Sequence, residues 1–238
     1  MSLSTLLLIR LSTAACRAVR LISVVMHGDT RSMLQRPAGL AQPFAKTAWA
    51  LSFITLAFLS ADAQTRAGPT LVSHDFSGSA QGWRISGDSE TADPIFSASG
   101  GHPGGCITGV DEALGETWYF RAPITVLQQL PAAANGTISF SLKQSGTSIS
   151  LIDDDVVIVG PTGRLSYRFP TAPGTDWTDF SVRLSTSEGW TWNWNARATQ
   201  AQIDSVLAAP TRLDIRGEYV TGPDEGSLDN FVLTAAPH

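Results

Sequence analysis

The chain has 238 residues, 16 Lys/Arg against 21 Asp/Glu and a formal net charge of −5. The imbalance sharpens after residue 63, where ten basic residues face nineteen acidic ones and Lys143 is the only lysine. That surface repels phosphate backbones, which excludes nucleic acid as a partner, and it suits neutral glycans, basic partners or divalent cations.

The first 32 residues carry Arg10, Arg17, Arg20 and Arg31 among Leu, Ile and Val, ahead of further methionines at Met26 and Met33. They read as a start assigned too far upstream, with an amphipathic targeting segment as the alternative. Residues 33–63 read as a secretory signal peptide: Lys46 precedes an apolar run from Ala48 to Leu59, and Ala61-Asp62-Ala63 presents small residues to a signal peptidase. Cleavage is expected before Gln64. The run is short for a membrane span, although an N-terminal anchor is the competing reading. The expected location is therefore extracellular or periplasmic, with no membrane span in the mature chain.

Residues 64–238 are read as one domain. Cys16 lies in the leader, so Cys106 stands alone and no internal disulfide is possible. In "GGCITGV" it reads as a small buried residue on a strand. The apolar runs are short and the turn residues dense, as in all-β domains. "LVSHDFS", "GWRIS", "GGCITGV" and "TWYFRAP" supply the first strands. After the Asn135-Gly136 turn, "GTISFSLKQ" alternates, with Ile138, Phe140 and Leu142 on one face. "DVVIVG" is apolar on both faces. "RLSYRF", "WTDFSVRLS" and "RLDIRGEY" alternate again through Leu165/Tyr167/Phe169, Phe180/Val182/Leu184 and Leu213/Ile215, and "LDNFVLTA" ends the series. One helix interrupts: Thr199 and Gln202 form a capping box, Ile203, Val206 and Leu207 line one side, and Pro210 stops it. About ten strands and one short plug helix predict a two-sheet antiparallel jelly-roll β-sandwich.

From "TWYFRAP" onward the chain resembles the laminin B (laminin IV type A) domain in its bacterial secreted form. The resemblance is carried by an ordered set: "GGHPGGCITGVDEALGETWYFRAP", "NGTISFSLKQ", "DDDVVIVGPTGRLSYRF", "GTDWTDFSVRLSTSEGW", "ATQAQIDSVLAAPTRLDIRGEY" and "GSLDNFVL". With "HDFSGSAQGW" it covers nearly all of 71–234. It implies an extracellular, non-catalytic β-sandwich like galactose-binding and carbohydrate-binding jelly rolls, and it implies no defined ligand. The WNWN segment after Trp190 is more aromatic than the resemblance leads one to expect. The chain closes on "TAAPH" without a Pro-Glu-Pro motif, apolar helix and basic tail, so release is expected over sorting to the surface by that route.

Three places invite a function. Trp190, Trp192 and Trp194 alternate in "GWTWNWNARATQ", and Trp190 is expected in the core. Trp192 and Trp194, flanked by Asn193 and Asn195, either pack partly against the core or form a rim platform on which sugars stack. In jelly rolls of the resembled kind the first and last strands lie side by side. That arrangement brings Asp75 toward Asp229 and suggests a structural calcium, helped by carbonyls of "GGHPGG"; the alternative is that both aspartates cap turns. Asp153-Asp154-Asp155 reads as a solvated turn with one side chain bonding the backbone, since adjacent carboxylates point apart and cannot flank one bond. His74 and His102 lack zinc-ligand spacing, and no nucleophile elbow, Walker loop or dinucleotide fingerprint occurs. The sequence therefore predicts a secreted, non-enzymatic module. Its ligand is an extracellular glycan or, alternatively, a matrix or envelope protein.

Overall fold

In the computed structural model, residues 67–237 are described, apart from 90–91, 112–114 and 149–151. The leader and signal segments lie outside the described residues.

Two antiparallel sheets enclose one hydrophobic core. The first runs β3 (Ile95–Gly101), β4 (Gly104–Asp111), β13 (Asp224–Thr234), β6 (Thr137–Gln144) and β9 (Thr178–Arg183), with β1 (Thr70–His74) also paired to β13. The second runs β11 (Ala196–Arg197), β10 (Thr191–Trp192), β8 (Gly163–Tyr167), β7 (Val156–Gly160), β12 (Arg212–Arg216), β5 (Tyr119–Arg121) and β2 (Arg84–Ser86). The expected all-β sandwich is the observed one. The predicted alternation also holds, because Ile138, Phe140, Leu142, Leu165, Phe180, Val182, Leu184, Leu213, Ile215, Phe231 and Leu233 all enter the core. Each large side chain fully buried there contributes roughly 1.5–3 kcal/mol.

The predicted helix is α2 (Gln200–Ala208), and its capping box is formed in both directions. The Thr199 hydroxyl accepts the Gln202 N–H at 3.3 Å, while the Gln202 side-chain oxygen accepts the Thr199 N–H at 2.9 Å. Ile203, Val206 and Leu207 are buried under it.

Several elements lie outside the sequence reading, the β10–β11 hairpin among them. A four-residue helical turn, α1 (Ile124–Leu127), and a 3-10 turn at Leu130–Ala133 carry Val126, Leu127, Leu130 and Ala133 into the core. Turns this short leave no periodicity to detect. The edge strand β3 buries neither face, so it has no apolar alternation either.

Strand β13 changes partners along its length. Asp224–Leu228 pairs with β4, whereas Phe231–Thr234 pairs with β1. The handover falls at an irregularity between Asp229 and Val232 where Asn230 adopts φ +51°. Bulges of this kind interrupt the ladder and bend the strand, and this one follows directly on Asp229, which still pairs with Ser141.

Candidate functional site

The tryptophan segment is a hairpin whose tip reverses the strand alternation. β10 and β11 pair through Thr191–Arg197 and Trp192–Ala196, and the Asn195 N–H donates to the Trp192 carbonyl at 3.3 Å. Both central residues are left-handed, Asn193 at φ +46° and Trp194 at φ +70°, as in a type I′ turn. Asparagine tolerates this region; a bulky residue does so only at a cost of about 1–3 kcal/mol. The tip is bolted to β8, since Asn193 and Arg164 exchange two hydrogen bonds. The Asn193 N–H meets the Arg164 carbonyl, and the Asn193 side-chain oxygen accepts the Arg164 N–H, each at 2.9 Å.

The three indoles thereby separate. Trp190 is buried, and its indole N–H donates to the Arg183 carbonyl at 2.8 Å. Trp192 pairs with Leu165, packs on the core side and is half-buried. It lies so close to Gly163 that a Cβ there would stand 2.4 Å from its ring. Trp194 turns out to the opposite face, with 67% of its surface exposed. The guanidinium of Arg164 sits 5.0 Å from its ring centroid and is itself held at 2.8 Å by Asp154. One indole face therefore has a cation behind it. Asn193 and Asn195 are exposed beside it.

At the β13 handover, β1 and β13 lie side by side as expected. Asp229 is fully buried; its carboxylate accepts the N–H groups of His102 and Asn230. Desolvation, reinforced by the nearby charge of Asp75, pushes its pKa up. The glycines of the β3–β4 hairpin are pressed against it. A Cβ on Gly101 would stand 2.0 Å from the Gly105 carbonyl oxygen and 2.7 Å from Asp229 Oδ2, and one on Gly105 would stand 1.9 Å from the Phe76 carbonyl oxygen. These are hard oxygens of the type a calcium ion takes. Asp75 is exposed and its Oδ1 accepts the Ser77 N–H at 3.1 Å, which lowers its pKa. Among the described residues, no three His, Cys, Asp or Glu side chains group so as to hold a metal ion by themselves.

Asp153–Asp155 is less solvated than the sequence suggests. Asp153 does cap the Asp154 N–H at 2.7 Å. Asp154, however, pairs with Arg164 and Arg168, and Asp155 is buried against Arg216 at 3.5 Å while accepting the Phe169 N–H at 2.7 Å. Neighbours from β8 and β12 take up both carboxylates, and a linear reading cannot supply such partners.

Two further clusters were not legible in the sequence. On the outer face of the first sheet, His102 stacks on Trp177, with ring centroids 6.3 Å apart, and Lys143 Nζ lies 5.0 Å from the same ring. The Trp177 indole N–H donates to the Gly100 carbonyl at 3.2 Å, so the cluster pins the β3–β4 hairpin to β9. The second cluster is the Arg121–Asp214–Arg212 group on the outer face of the second sheet. Signals were present, in the lone Lys143 and the alternating "RLDIR", but strand pairing alone brings their partners together.

A family model described as Laminin B (Domain IV) matches residues 119–238. Among solved structures, the L4b domain of human laminin alpha-2 is similar at 13% identity over 54% of this chain and 80% of that one, with a TM-score of 0.46. The CBM22-1 xylan-binding domain from Paenibacillus barcinonensis Xyn10C is similar at 14% identity over 72% and 97%, with a TM-score of 0.45. A family 11 carbohydrate-binding module from Clostridium thermocellum, in complex with a beta-1,3-1,4-mixed-linked tetrasaccharide, is similar at 14% identity over 72% and 98%, with a TM-score of 0.43. No curated protein matches the chain.

Proposed function

The chain belongs to the laminin B (domain IV) family, and from that premise we propose that it is a secreted, non-catalytic binding module whose ligand is an extracellular carbohydrate. The observation that carries this reading is Trp194: a large indole 67% exposed and held at a left-handed φ of +70°. Strained positions of this kind cluster at active sites and ligand clamps. An exposed indole at low entropic cost is suited to stacking on a sugar ring, and the flanking Asn193 and Asn195 amides to bonding hydroxyls. The arrangement is preorganised by the two Asn193–Arg164 hydrogen bonds, so little ordering accompanies binding. Among the described residues no helix is long and apolar enough to cross a membrane.

The test uses glycine, the residue that this backbone conformation favours. Trp194→Gly relieves the left-handed strain, so its melting temperature is expected to equal or exceed that of the wild type, by up to about 1 kcal/mol of stability. Its retention on an immobilised polysaccharide panel is expected to vanish. Equal retention of variant and wild type, or no retention of wild type on any polysaccharide, would sink the reading.

A structural calcium belongs to the same proposal. Asp229 and Asp75 would supply carboxylates, and Phe76 and Gly105 carbonyl oxygens; the ion would neutralise the buried Asp229 charge and tie β1, β4 and β13 together. Millimolar calcium is expected to raise the melting temperature and EDTA to lower it. A melt indifferent to both removes calcium from the account.

A second reading, as a protein-interaction module of the envelope or matrix, is favoured by β3. This is an edge strand with Ile95 57% and Phe96 37% exposed, the kind of edge to which a partner strand adds. Co-purification of a protein partner without glycan affinity would select it.

A further inference from the structure

Residues 64–238 are strongly acidic, yet their basic residues are not scattered. Six of the ten, Arg84, Arg121, Arg164, Arg197, Arg212 and Arg216, stand on the second sheet at positions that alternate with its core-facing residues. Strand register sets Arg84 beside Arg121 and Arg121 beside Asp214. The adjacent rung runs from Arg212 through Val159 to Arg164, where Trp194 begins.

Three of these arginines have an acid each. Arg84 meets Asp93, Arg164 meets Asp154 and Arg216 meets Asp155. Asp214 is shared. Its buried carboxylate takes Nε and Nη2 of Arg121 at 3.0 and 3.2 Å and lies 3.2 Å from Nε of Arg212. One negative charge thus holds two guanidiniums, whose side chains remain 41% and 40% exposed. A positive charge is left over, and each guanidinium has five N–H donors, most of them uncommitted to Asp214. With strands about 4.8 Å apart, Arg212 lies roughly 10 Å from Arg164, two strands away. A chain-like ligand crossing the strands would meet Trp194 first and the arginine pair further on.

We propose that this face binds an acidic polysaccharide, one sugar stacking on Trp194 while a carboxylate or sulfate further along is gripped by Arg212 and Arg121. The assignment rests on the reading of Trp194 as the carbohydrate-stacking residue and adds the substrate class. Guanidinium forks match planar carboxylates in paired hydrogen bonds, and such contacts work at short range against the repulsion of the acidic remainder of the domain. Binding is therefore expected to weaken with added salt.

The experiment measures retention of the full chain on four probes: polygalacturonate, its fully methyl-esterified form, dextran sulfate and dextran. Within each pair only the anionic groups differ. Retention on polygalacturonate alone identifies the anion as a carboxylate, and on dextran sulfate alone as a sulfate. Arg212→Gln is expected to weaken whichever is bound roughly tenfold, with an unchanged melt because Arg121 still pairs with Asp214. Neutral probes retained as well as charged ones, or an Arg212→Gln variant that binds like wild type, overturns the proposal. If that neutral binding is lost in Trp194→Gly, the carbohydrate reading stands while the acidic assignment fails. If none of the four probes is retained, the acidic assignment again fails, and the broader panel decides the carbohydrate reading on its own.

Discussion

Gly217→Ala is expected to lower the melting temperature by about 10 °C or to prevent folding altogether, a loss of about 3 kcal/mol or more. Trp118 is fully buried and packs its six-membered ring against three glycines of three strands or strand ends. A Cβ on Gly217 would stand 1.9 Å from its ring, one on Gly109 2.4 Å, and one on Gly226 3.0 Å. The indole cannot retreat. Its N–H donates to Asp224 at 3.2 Å, its backbone N–H donates to Glu218 at 3.1 Å, and Phe120 abuts it edge to face at 5.1 Å. Gly146→Ala is the control, since nothing stands within 4 Å of a Cβ at that position. Thermal melts of the two variants check the claim; a Gly217→Ala melt matching the control would refute it.

The same corner sets the pH dependence of stability. Glu218 is 2% exposed, and desolvation, together with the charges of Asp111 and Asp224, pushes its pKa up to about 7 against the opposing Trp118 N–H bond and Arg216. In the unfolded chain it titrates near 4.5. Between those values the folded state holds the extra proton, so stability is greatest on the acid side, falls as pH rises through the window and levels off above it. Asp155 and Asp224, also raised by burial, act with the same sign. His74, lowered by burial while its Nδ1 accepts the Trp83 indole N–H at 2.8 Å, acts with the opposite sign, as does Asp75. Glu218→Gln keeps an acceptor for the Trp118 N–H and removes the charge. It is expected to be more stable than wild type at pH 8 by about 1–3 kcal/mol, with a flatter profile between pH 5 and 7. Denaturant melts across pH decide this. A variant profile parallel to that of the wild type would locate the pH dependence elsewhere.

The site was legible only in part. Trp190 in the core follows from alternation, and the closeness of β1 to β13 from the resemblance to jelly rolls. The parting of Trp192 from Trp194 does not. Alternation places them on one face, and two left-handed residues at the tip put them on opposite ones. Asp153–Asp155 shows the same limit, because the arginines that claim Asp154 and Asp155 are supplied by β8, its trailing residue Arg168, and β12.

By itself the sequence determined the periodic features: which residues of each strand face inward, and where the nine-residue α2 begins and ends. Local spacing suffices there, because backbone geometry alone decides which side chains share a face. Only the tertiary structure decided which residues from distant strands meet. Asp214 lies between Arg121, its cross-strand neighbour, and Arg212, two residues back on its own strand; Trp118 settles on Gly109, Gly217 and Gly226; Asp229, beside the bulge, is covered by the β3–β4 hairpin. Those contacts depend on strand order, register and one irregular residue, which are long-range quantities that side-chain periodicity does not encode.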